Sequence, residues 1–169
     1  VFNIFFSNIT MWGPKVHKYV TEEGKQKDII MMCETHADKT KLEKVREEVS
    51  RDGWKLMGTE AVPTKLSEKG TTGGEMILAK THLACAGYDT LRKKLVDNGD
   101  VDTFKGFAVL NVHTRSGNIV LIAAYLVPGE GLTGSNYHRI RCLSGFIKSL
   151  TDPWVVLAYW NIPIDKMEK

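Results

Sequence analysis

Trp154-Val155-Val156-Leu157-Ala158-Tyr159-Trp160-Asn161 is the stretch on which the fold turns. Trp154 to Tyr159 reads as a strand, and its run Trp154 to Leu157 is continuously apolar, the pattern of burial on both faces. Tyr159-Trp160-Asn161 is the polar tip where that strand runs out. Three other apolar runs end alike. Val1 to Ile9 carries Asn8 in Ser7-Asn8-Ile9, Asp28 to Cys33 runs into Glu34-Thr35-His36, and Ile119 to Val127 carries Tyr125 shortly before Pro128. Where strands are joined by helical crossovers, ligands gather at strand ends, so these tips define one candidate site.

Helical patterns lie between the strands. Pro14 to Glu23 is a short helix with proline in its first turn, where a missing N–H costs least. Asp38 to Ser50 is the clearest helix: Leu42, Val45 and Val49 recur at spacings of three and four, Asp38 caps the start, and Gly53 stops it. Two further helices are expected at Asp89 to Val96 and Tyr137 to Leu150, the latter with Ile140, Leu143 and Ile147 on one face. Trp54 to Val62 and Glu75 to Lys80 read as strands. Phe107 to His113 and Ile119 to Val127 form a hairpin across Thr114 to Asn118. The expectation is one α/β domain over residues 1–169, with a mixed β-sheet of six or seven strands layered with four helices.

Composition narrows the function classes. At 169 residues, 43% hydrophobic and 25% charged, the chain has material for a single core. No apolar run reaches the roughly 20 residues that span a bilayer. Val1, rather than Met, at the first position implies a processed or partial chain. The net charge of +3 permits a polyanionic partner without demanding one. Lys15, Lys18, Lys25, Lys27, Lys65 and Lys69 could face nucleic acid, but Glu22, Glu23 and Glu68 dilute them and favour a solvated face. Cys33, Cys85 and Cys142 form no CxxC pair and read as small apolar residues.

In order and spacing the polar tips resemble the endonuclease/exonuclease/phosphatase superfamily, and within it the endonuclease domains of non-LTR retrotransposons and their apurinic-site relatives. Asn8 matches the asparagine after the first strand, and Glu34 the glutamate of a Glu-Thr-His run. Gly73-Gly74 matches the glycine pair opening a middle strand, and Tyr125 to Pro128 a Tyr-x-x-Pro-like element. Ala158-Tyr159-Trp160-Asn161 aligns with a Gly-Asp-x-Asn element. The resemblance implies one αβ half of a four-layer sandwich. It also implies relict metal ligands at Glu34 and Asn8, since Mg²⁺ takes oxygen ligands. Tyr125 and Asn161 would contact phosphate.

The aspartate of that element, which orients the attacking water, is here Tyr159. A phenol with an unperturbed pKa of about 10 is a poor base at neutral pH. The family's second half supplies a catalytic histidine from a Ser-Asp-His-like element, and none of His17, His36, His82, His113 or His138 has that context. The expectation is therefore a pseudoenzyme of retrotransposon-derived type, a non-catalytic structural or binding subunit of a larger assembly that needs no cofactor. The alternative is a Mg²⁺-dependent phosphodiesterase or endonuclease completed by residues missing from this chain. A half fold would also leave one sheet face bare, and that face is expected to meet a protein partner or a second copy.

Overall fold

The computed structural model describes residues 2–63, 70–87 and 106–161. The expected helix at 89–96, with Lys65, Lys69 and Glu68, lies outside these residues. The first sheet has the order β1-β2-β6-β3, from β1 (Ile4–Asn8), β2 (Ile29–Cys33), β3 (Trp54–Thr59) and β6 (Glu75–Lys80). A short ribbon of β4 (Val62–Pro63) and β5 (Thr71–Thr72) stands beside it. The second sheet has the order β10-β9-β8-β7, from β7 (Cys85–Gly87), β8 (Phe107–Thr114), β9 (Gly117–Tyr125) and β10 (Trp154–Tyr159). Helices α1 (Pro14–Thr21) and α2 (Lys39–Arg51) follow β1 and β2, and α3 (Gly134–Lys148) joins β9 to β10.

Alternation along the strands builds the layers. Ile30 and Met32 of β2, with Met76 and Leu78 of β6, point to Val20 of α1 and to Leu42, Val45 and Val49 of α2. Their neighbours Ile29, Met31, Ile77 and Ala79 point the other way, onto Ala108, Leu110, Leu121 and Ala123 of the second sheet. The odd residues Phe107 and Val109 of β8 then meet Leu143 and Phe146 of α3. The result is helix, sheet, sheet, helix, with a period of two deciding every assignment.

The mixed α/β class, with helices layered on sheet, is what the chain adopts. The strands divide differently from the single sheet of six or seven. They form two four-stranded sheets packed face to face, so the apolar face expected to be bare is covered from within the chain. The double-sided burial of Ile29–Cys33 has this cause: helices on one side, the second sheet on the other. β10 departs from its expected burial. As the outer strand of its sheet it leaves Trp154 47% and Val155 41% exposed. Among the described residues, no helix is long and apolar enough to cross a membrane.

Local chemistry places the ends of these elements. Asp38 accepts from the backbone N–H of Lys41 at 2.8 Å, an N-cap of about 1 kcal/mol. The β8–β9 hairpin turns at Arg115-Ser116, and Thr114 Oγ1 donates to the Gly117 carbonyl across it at 2.6 Å. Helix α3 begins three residues earlier than expected. Its buried face is Asn136, Arg139, Leu143 and Phe146, so two polar residues occupy its first half.

Candidate functional site

Both sheets contribute a parallel pair, β1 with β2 and β10 with β9. The carboxyl ends of these four strands converge. Ile9 N–H donates to the Cys33 carbonyl at 3.1 Å, and Leu126 N–H to the Tyr159 carbonyl at 3.1 Å. The Cys33 thiol crosses between the sheets and donates to the Ala124 carbonyl at 3.1 Å. Asn8, Glu34, Tyr125, Tyr159 and Asn161 therefore end at one rim of the sandwich.

Backbone strain gathers there too. Among the described residues, the non-glycine residues with left-handed backbone are Thr10, Glu34, His36 and Asn161, at φ of 61°, 60°, 49° and 51°. All four lie just past β1, β2 or β10. Each such residue costs on the order of 1 kcal/mol and is held by its surroundings. For Asn161 the hold is visible, since its Nδ2 donates to the Leu126 carbonyl at 2.6 Å.

The direct side-chain link is Tyr125 Oη donating to Glu34 Oε1 at 2.9 Å. Burial, and then the Glu34 charge beside it, push the Tyr125 phenol well above its usual range. It stays protonated at any working pH, a hydrogen-bond donor and not a base. Asn8 turns its Oδ1 to the Thr10 N–H at 3.1 Å, within its own turn. Tyr159 stands in register with Tyr125 on the neighbouring strand and is 44% exposed. His36 lies near Thr71, whose Oγ1 donates to the His36 carbonyl at 3.3 Å.

Glu34 is one carboxylate with an oxygen already engaged by Tyr125, and the Asn8 oxygen serves Thr10. Among the described residues, no three His, Cys, Asp or Glu side chains group as metal ligands. The expected pair Glu34 and Asn8 stands at one rim, each with one oxygen engaged within the chain.

Beneath the rim lies a buried layer of which the sequence reading named the glycine pair and missed Glu75 and Arg139. Gly73 and Gly74 precede β6 with φ of 75° and 85°, and their carbonyls receive the N–H groups of His36 and Thr35 at 3.1 and 3.0 Å. A Cβ on Gly74 would stand 2.6 Å from Thr35 Oγ1, so that approach requires glycine. Glu75 follows, with no solvent exposure, and Thr59 donates to its Oε2. Among the described residues, its Oε1 has no hydrogen-bond partner, and neither has Thr35 Oγ1. Arg139, buried on α3, donates to the Tyr125 carbonyl at 3.0 Å and approaches the same Gly73 as Glu75. Burial raises the Glu75 carboxyl to about 7, with Thr59 and Arg139 opposing it in part. A carboxylate inside the otherwise apolar run Glu75 to Ala79 was the available signal.

Comparison with solved structures gives the arrangement a context. The chain superimposes on the endonuclease domain of TRAS1, a telomere-specific non-LTR retrotransposon, with a TM-score of 0.58, 11% identity, and coverage of 98% of this chain and 61% of that one. The 3'-5' exonuclease NExo from Neisseria meningitidis gives 0.60, 18%, 94% and 57%. The human Nocturnin catalytic domain gives 0.59, 12%, 95% and 64%. The fold is that of the endonuclease/exonuclease/phosphatase domains. The chain spans 57% to 64% of the length of these structures. No family model matches the sequence, and no curated protein matches it.

Proposed function

We propose that this chain is a binding or structural subunit that keeps a nuclease-like framework without its catalysis, acting with a protein partner. The observation that carries the reading is Tyr159. It stands at the end of β10, in register with the Tyr125 whose phenol donates to Glu34, at the position where the resemblance expects an aspartate. Hydrolysis of a phosphodiester needs a group that orients and deprotonates water, and a phenol does that poorly at neutral pH. No cofactor is required for such a role.

The test is nicking of supercoiled plasmid DNA in Mg²⁺. The intact chain is expected to leave the plasmid uncut, and Tyr159→Asp is expected to leave it uncut as well. Cleavage by the wild-type chain that disappears in Glu34→Ala would overturn the reading.

A second reading rests on a different observation. The cluster of left-handed residues at Glu34, His36 and Asn161 is the kind of strain that functional sites hold. On that basis the chain is part of a Mg²⁺-dependent phosphodiesterase or endonuclease acting on nucleic acid. Glu34, Asn8, Tyr125 and Asn161 then form one side of a site completed by further polypeptide.

A further inference from the structure

Helix α3 packs on the outer face of the second sheet through Leu143 and Phe146. Arg139 of the same helix is also buried, and its Nη1 donates to the Tyr125 carbonyl at the end of β9, at 3.0 Å. Gly106, just before β8, makes room for that reach. At its φ of 101°, a Cβ would stand 2.8 Å from both Cδ and Nη1 of Arg139, so a side chain there would close the passage. A Cβ on Gly73 would have the same Nη1 at 3.7 Å and Glu75 Oε1 at 3.8 Å. The guanidinium and the carboxyl therefore border one small space, although one belongs to α3 and the other to the first sheet.

Glu75 shares the parity of Ile77 and Ala79, whose side chains face the second sheet. The groups that meet it there are Arg139 from α3, the Cys33 thiol from β2 and the Tyr125 ring from β9, with Thr59 of β3 donating to its Oε2. Glu34 and His36 are the titratable groups at the rim above. Arginine stays charged at any working pH, so a buried one needs an acceptor throughout. The Tyr125 carbonyl is one acceptor, and Glu75 Oε1, unpartnered among the described residues, is a second beside it. A neutral carboxyl competes weakly for a guanidinium. An ionised one makes a bond roughly twice as strong as a neutral acceptor does.

We propose that Glu75 and Arg139 form a proton-controlled latch on Tyr125. While Glu75 holds its proton, the guanidinium stays on the Tyr125 carbonyl. When the carboxyl gives its proton to bulk water, the guanidinium turns to Glu75 Oε1 and lets that carbonyl go. Burial raises the Glu75 carboxyl to about 7, which puts the exchange near neutral pH. Tyr125 carries the change to the rim, because the same residue donates its phenol to Glu34 at 2.9 Å. Below neutrality the end of β9 is held at both carbonyl and phenol; above it, only the phenol holds, and the grip on Glu34 loosens. The latch does not depend on whether the site cuts phosphodiesters, so it can fail without the binding-subunit reading, and the reverse.

The test is an NMR titration of the whole chain from about pH 5 to about pH 9. It follows the Glu75 carboxyl carbon, the Arg139 Nε–H and the Leu126 amide, whose nitrogen is bonded to the Tyr125 carbonyl carbon. One shared midpoint is expected for all three signals. Glu75→Gln keeps the shape and stays neutral, and is expected to abolish the step at Arg139 and Leu126. His36→Gln removes the neighbouring imidazole and is expected to leave that step in place. If Glu75→Gln fails to fold, the wild-type midpoints decide. No Glu75 step in this range, a Glu75 step without one at Arg139 and Leu126, a Leu126 step that survives Glu75→Gln, or one that vanishes in His36→Gln would each overturn the proposal.

Discussion

Glu34 and Glu75 end up one strand apart and live in opposite worlds. Cys33 pairs with Glu75 in register across β2 and β6, so Glu34 leaves the sheet just beyond. Glu34 sits at the rim, partly open to water, and shares a proton donor with the second sheet through Tyr125. Glu75 is sealed below, with one oxygen toward Thr59 and the other, among the described residues, unpartnered. The same side chain is a surface acceptor in one place and, in the other, a desolvated acid whose carboxyl is raised to about 7. Burial, more than residue type, allots their chemistry.

The largest expected effect comes from breaking the buried member. The Glu75 carboxyl is raised to about 7 in the folded chain, against about 4.3 in the unfolded one. Between those values the native state holds a proton that the unfolded state has lost. Stability is therefore fully present below about pH 4, falls as pH rises, and levels off above about pH 7, a loss on the order of 3 kcal/mol. Urea denaturation at pH 5 and pH 8 is expected to show this fall in the wild type and to lose most of it in Glu75→Gln. A slope that persists in the variant would place the buried proton elsewhere.

A smaller effect is expected at the bridge between the sheets. Tyr125→Phe removes the donor to Glu34 and leaves the ring packing, at a cost of about 1 to 2 kcal/mol measured by urea denaturation at pH 7. Its fall in stability between pH 5 and pH 8 should match the wild type, because Glu75 is untouched. Smallest of all is Glu34→Gln, where the amide oxygen still accepts from the phenol. A change of about 0.5 kcal/mol or less is expected at any pH in the same measurement. An effect as large as that of Glu75→Gln would erase the contrast between the two carboxylates.

Much of the framework was legible in the residues. Leu42, Val45 and Val49 became the buried stripe of α2, with Asp38 as its cap. The runs Phe107 to His113 and Ile119 to Val127, flanking a turn, became the central hairpin of the second sheet. The division into two sheets was not legible, because a period of two separates one face from the other without saying which sheet each face meets. Gathering of the polar tips at one rim followed from strand direction, but their hydrogen bonds did not. That Asn8 would spend its oxygen on Thr10, and Tyr125 its proton on Glu34, depends on backbone angles set by tertiary contacts. Glu75 and Arg139 escaped notice for a related reason, as charged residues on apolar faces make sense only once both layers are assembled.

The Cys33 thiol has a consequence of its own. It lies between the two sheets, donates to the Ala124 carbonyl, and is pushed far above its ordinary titration by burial and by Glu75. A sulfur so enclosed is inert to alkylating reagents while the layers are shut, since reaction needs a thiolate in contact with water. Its modification rate in native buffer then becomes a clock for separation of the sheets, read at a single atom next to the candidate site.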